Sequence, residues 1–162
     1  MADLFNDSGC DFSPCRTWRY TLFRRWDQDK PYCMFIGLNP STADEERNDP
    51  TVRRCIRFAH DWGYGALYMM NLFAVRTPDP AVMKRQPDPV GPKNNQWLKA
   101  ISLDAGLIVA AWGTHGTFMD RAANVMRFLP DLHCLKVTKD GHPQHPLYIA
   151  ADTKPQPYKG TQ

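Results

Sequence analysis

The chain has 162 residues, with 20 Lys and Arg against 17 Asp and Glu, a formal net charge of +3 and a hydrophobic share of 43%. These numbers fit one globular domain with a core of useful size and exclude a collagen-like chain, a coiled coil and wholesale disorder. Prolines outnumber glycines, 14 to 10, which means many fixed chain corners or a loop-rich functional face. No apolar run reaches the roughly 18 residues that span a bilayer. Residues 1–13 carry acids and no apolar segment, so no signal peptide is expected there and the protein reads as cytoplasmic. Five cysteines at irregular spacing, with no Cys-x-x-Cys pair, read as free thiols. A metal site from Cys10, Cys15 and Cys33 is the weaker alternative. The mild positive charge permits a nucleic-acid partner without demanding one.

In chain order, residues 1–14 and 152–162 read as loose tails around a core of about residues 17–150, all in one domain. Residues 17–26, aromatic and Thr-rich with interleaved basic residues, predict an edge strand. A turn over 27–30 leads to a buried strand over 32–38, closed by Asn39-Pro40. Residues 50–64 predict the clearest helix. Asp49 caps it, Pro50 suits its first turn, and Val52, Cys55, Ile56, Ala59 and Gly63 form one face. An apolar strand follows over 66–72, then a proline-rich passage over 77–92 with a short helix near 81–85. A helix over 93–104 turns Trp97, Leu98 and Ile101 inward. A strand over 106–112, a helix over 116–129 and a strand over 132–138 complete the series. This alternation predicts an α/β three-layer sandwich with a mostly parallel four-stranded core sheet plus an N-terminal edge strand.

In open α/β sheets, ligands bind beyond the carboxyl ends of the strands. The first expected core strand ends in Gly37-Leu38-Asn39-Pro40-Ser41, with Asp44 and Glu45 beyond. The second ends in Asn71-Leu72-Phe73 and the third in Trp112-Gly113-Thr114-His115-Gly116. Past the fourth lie His142, His145 and Tyr148. Polar and aromatic residues at all four ends define one rim for a pocket. Each piece also has a plainer reading. Asn39-Pro40 is a common turn, Asn71 can satisfy loop backbone, and Gly113 and Gly116 can simply ease a turn. Gly116 can instead let helix-start amides face an anion. Arg53, Arg54 and Arg57 read as a solvated helix face or as phosphate contacts. A metal hydrolase built on His142, His145 and Asp44 is a third, weaker function reading.

The chain resembles the bacterial and phage family called domain of unknown function number 1643. The resemblance rests on Gly37-Leu38-Asn39-Pro40-Ser41 with Ala43 and Asp44, then Asp49-Pro50-Thr51 with Arg53 or Arg54, Asn71-Leu72-Phe73, Trp112-Gly113 and His145-Pro146-Leu147-Tyr148. It is also remotely similar to the uracil-DNA glycosylase superfamily, a set of small parallel-sheet α/β domains. The carriers are Gly37-Leu38-Asn39-Pro40, Asn71 at the next strand end, and His145-Pro146, with His142-Pro143 as a competing copy. This second resemblance implies a glycosylase-like fold and hydrolysis of an N-glycosidic bond in a nucleotide or nucleic acid, single-stranded or modified DNA included. It implies that Asn39 positions a water and that His145 donates to the departing base. Asn71 would select the base edge and Phe73 would stack on it. Asp44 is the alternative water activator. Gly37, Pro40, Ser41, Trp112 and Gly113 would complete the pocket, and no cofactor or metal is implied. Ser41 departs from the small Gly of those glycosylases, and no long loop is evident to wedge into a duplex. The alternative function is a non-catalytic module that binds nucleotide or nucleic acid on the same rim.

Overall fold

Apolar runs with few breaks set the centre of the sheet. The computed structural model describes residues 7–129 and 131–161. Its strands are β1 (Asp7–Phe12), β2 (Arg19–Arg25), β3 (Tyr32–Gly37), β4 (Ala66–Asn71), β5 (Leu107–Ala110), β6 (His133–Cys134) and β7 (Gln156–Pro157). They form one seven-stranded sheet in the order β1-β2-β4-β3-β5-β6-β7. The β4–β3, β3–β5 and β5–β6 pairs are parallel. The β1–β2, β2–β4 and β6–β7 pairs are antiparallel, so the sheet as a whole is mixed.

Four α-helices accompany it: α1 (Pro50–Asp61), α2 (Pro80–Lys84), α3 (Asn94–Ser102) and α4 (Arg121–Phe128). Side chains of β3 alternate between two cores, as strand geometry requires. Cys33 and Phe35 pack with Val52, Cys55, Phe58 and Ala59 of α1. Met34 and Ile36 share the opposite core with Met83, Leu98 and Val125. Burying a side chain such as Phe35 or Phe58 contributes about 1.5–3 kcal/mol, and both are essentially inaccessible to solvent. Helices therefore cover both faces of a mixed α/β sheet. Among the described residues, no helix is long and apolar enough to cross a membrane.

Several boundaries differ from the sequence expectation. Of the tail expected over residues 1–14, residues 1–6 lie outside the described residues. The rest holds β1, which covers β2, so β2 is not the edge strand. Its polar sequence hides it: Asp11 accepts a hydrogen bond from the Thr21 hydroxyl across the ladder at 2.7 Å instead of packing in a core. The other tail holds β7, paired to β6. The fourth core strand shrinks to two residues, and Val137 instead bridges Pro143 across a loop. The last helix starts at Arg121 and not near 116. Met119 and Asp120 have φ of 58° and 54°, a left-handed break that no α-helix accommodates. Before it the chain forms a 3-10 turn over Thr114–Asp120. There Gly116 is required, since a Cβ would lie 2.3 Å from the Trp112 ring.

Three arginines shape the loop between β3 and α1. Arg24 donates to the carbonyls of Asp44 and Arg47 and to the Asn48 side chain. Arg76 donates to the Thr42 carbonyl and Arg19 to the Ala43 carbonyl. Their charge is spent partly on backbone, and the loop that carries the first motif is held at several points.

Candidate functional site

A cavity of about 680 Å³ opens beyond the carboxyl ends of β3, β4 and β5, within the size range of small-molecule pockets. Gly37, Asn39, Pro40 and Ser41 line it from β3, and Asn71 lines it from β4. Trp112 and Gly113 follow β5, and His145 comes from the long loop after β6. The first turn of α1 adds Asp49, Thr51 and Val52.

Asn71 is 2% exposed and its Nδ2 has no hydrogen-bond partner among the described residues. An unmet buried donor is costly, and such groups mark places where something else completes the bond. Its position is enforced from three sides. Gly37 pairs with it in register, and a Cβ there would lie 3.0 Å from the Asn71 Oδ1. Behind it, the Asn94 amide donates to the carbonyls of Asn71 and Leu72, each at 3.0 Å. The buried Arg121 Nε donates to the same Leu72 carbonyl at 2.7 Å.

Asn39 is held by its amide nitrogen, which donates to the carbonyls of Thr77 at 2.8 Å and Pro40 at 3.1 Å. These bonds orient the group and leave Oδ1 as the acceptor end. His145 accepts at Nδ1 from the Leu147 backbone N–H at 3.3 Å, which places the imidazole proton on Nε2. Burial lowers the His145 pKa, and the Asp49 charge opposes that shift. The ring is therefore a neutral donor near pH 7.

Other expected residues stand elsewhere. Phe73 is wholly buried in the core against Phe118 and does not reach the cavity. Asp44 does not line it either. Its carboxylate accepts from the Arg47 and Glu46 backbone amides, which hold its pKa below the usual value. Arg53 donates to the Asn48 carbonyl, and Arg54 donates to the Ile149 carbonyl while lying over the Phe58 ring. Arg57 pairs with Asp61 one turn on, at 3.0 Å. None of the three lines the cavity. Of the two competing histidines, His145 lines it and His142 does not. Gly116 supports Trp112 and presents no helix-start amides, because α4 begins beyond it. No three His, Cys, Asp or Glu side chains among the described residues are placed to hold a metal ion.

Two charged residues on the cavity wall, Arg19 and Asp49, are not singled out as site residues by the sequence. Arg19 sits on β2, where interleaved basic residues looked like a solvated edge; it is 2% exposed. Asp49 reads from sequence as a helix cap and as part of the Asp49-Pro50-Thr51 motif, not as a site residue. It does accept from the Val52 N–H at 2.8 Å, but it also faces the cavity. No local spacing marks either one, because both depend on where β2 and α1 lie relative to β3.

A family model described as a protein of unknown function, DUF1643, matches residues 19–147. The chain belongs to this family. The DUF1643 match begins at Arg19 and contains every residue of the cavity wall except Tyr148. No curated protein and no solved structure matches the chain.

Proposed function

We propose that this protein is a glycosylase-like hydrolase that cleaves an N-glycosidic bond in a nucleotide or modified nucleic acid. The observation that carries the reading is the convergence of Asn39, Asn71 and His145, from three separate chain segments, on one cavity. Their motif order, and its similarity to the uracil-DNA glycosylase superfamily, supports the same reading as an analogy of fold and motif.

The chemistry follows from what each group can do. Cleavage puts positive charge on the sugar and negative charge on the leaving base. Neutral His145 donates Nε2–H toward the base anion, a placed donor where charge develops. Asn71 offers the unmet Nδ2–H to an acceptor on the base edge. Asn39 holds a water through Oδ1, which is enough for an oxocarbenium-like sugar that needs little activation of its nucleophile. The nearby carboxylate is Asp49, so the water-activating role suggested for Asp44 passes to Asp49. Trp112 supplies an apolar wall in place of Phe73.

The test is base release from a panel of oligonucleotides and nucleotides carrying common, deaminated and alkylated bases. Release from at least one member supports the reading. Binding without release from any member favours the non-catalytic module.

A further inference from the structure

Arg19 is a buried cation on the cavity wall that the protein itself leaves incompletely bonded. It is 2% exposed. Its Nη1 donates to the Ala43 carbonyl at 3.1 Å, and its Nε has no partner. Among the described residues no described group accepts from Nη2 and no carboxylate forms an ion pair with it. Cys10 and Asp49 lie within electrostatic reach without forming an ion pair, while Arg76 and Arg24 add positive charge nearby. Arg24 is saturated by loop carbonyls and the Asn48 side chain, and although Arg54, Arg76 and Arg121 each also keep an unpartnered guanidinium nitrogen, Arg19 is the one of these four that lines the cavity. The first turn of α1 lines the same cavity through Thr51 and Val52, but Pro50 has no N–H and the Val52 N–H is taken by the Asp49 carboxylate, so the anion-binding donor on this wall is the guanidinium. Burial lowers the Arg19 pKa to about 10, still well above neutrality, so the group remains charged. A buried charge without a partner is unfavourable unless a counter-ion arrives, and a planar guanidinium suits the paired oxygens of a phosphate.

We propose that Arg19 forms a phosphate subsite on the cavity wall, so that the substrate is recognised through a phosphate ester on its sugar. This rests on the proposed function for the base-recognising half of the cavity. It moves phosphate recognition from Arg53, Arg54 and Arg57 on the outer face of α1 to a residue on β2. A nucleoside monophosphate and a nucleic-acid phosphodiester share this chemistry.

The test measures affinity, not turnover. Deoxynucleosides, including deoxyuridine, are compared by calorimetry with their 5′- and 3′-monophosphates and with short single-stranded oligonucleotides. At least one phosphorylated form is expected to bind about tenfold or more tighter than its nucleoside. In Arg19→Gln that ratio is expected to fall to near unity, and in Arg19→Lys to be partly kept. A loosened loop would weaken nucleoside and nucleotide alike and leave the ratio unchanged. Tighter binding of monophosphates assigns the group to a monoester; a preference seen only with oligonucleotides assigns it to a diester. Should Arg19→Gln not fold, inorganic phosphate is expected to raise the wild-type melting temperature above that in chloride at equal ionic strength. Equal affinities in the wild type, an unchanged ratio in folded Arg19→Gln, or no phosphate stabilisation would overturn the subsite. Because no step needs base release, a phosphate preference without catalysis would refute the hydrolase and leave the subsite standing.

Discussion

Replacing Asn71 by Leu should make the free protein more stable and its site inert. Asn71 Nδ2 is buried and unpartnered, and an unmet buried donor costs about 1–3 kcal/mol. Leucine has a similar volume and no donor. The space it needs exists because Gly37 lacks a Cβ where one would approach Asn71 Oδ1 to 3.0 Å. Repacking of the branched side chain against Met69 offsets part of the gain, since small shape changes in cores cost up to about 1–3 kcal/mol. The expected net is a gain of about 1 kcal/mol, or roughly 2–4 °C in Tm for a domain of this length. Ligand binding should fall by about tenfold or more, because the base edge loses its donor and meets a methyl group. Calorimetric unfolding and ligand titration on the same sample read both effects. A variant that loses more than about 1 kcal/mol of stability while retaining affinity would refute the reasoning, since the amide would then serve the fold alone.

Three other outcomes follow. Asn94→Ala removes the amide that donates to both the Asn71 and Leu72 carbonyls, of which Leu72 keeps Arg121, and should cost about 1–3 kcal/mol by urea unfolding; a neutral variant would contradict the clamp. His145 should titrate below the ordinary histidine value of about 6.5 in an imidazole NMR titration, because burial disfavours its charged form. Its contribution to stability is therefore full above the unfolded pKa and lost as pH falls through the folded one, and a pKa above the ordinary value would reverse that sign. Cys15 should be the first thiol alkylated near neutral pH by mass spectrometry. It is exposed, and its hydrogen bonds with Ser13 and Thr17 lower its pKa to about 7, whereas burial raises those of Cys33 and Cys55.

The central strands were legible because apolar runs closed by polar turns leave few other readings. The region following β6 was not. Leu132 to Thr138 has the pattern of a strand, yet only His133–Cys134 pairs, because the chain then leaves the ladder for the loop that delivers His145. Similarly, Phe118 to Leu129 looks helical throughout, but the break at Met119 and Asp120 is invisible to hydrophobic spacing. On the cavity wall, Asn39, Asn71 and His145 are legible because each ends or follows a core strand. Phe73 was placed wrongly for a simple reason: two residues past Asn71 the chain has already turned back into the core. Asp44 illustrates the ambiguity of an acid after a turn, since its carboxylate is used by the turn itself. Arg19 is not legible because one Arg among several in an aromatic strand gives no sign of burial until β1 covers one side and the loop to α1 covers another.

The most direct test of the account compares wild type, Asn39→Ala and His145→Ala under single-turnover conditions, on whichever substrate of the base panel is cleaved. The account predicts measurable base release by the wild type and a loss of about 10²-fold or more in each variant, the size expected when a placed donor or water-holding group is removed. Equal release by all three proteins, with their folds intact, would contradict it.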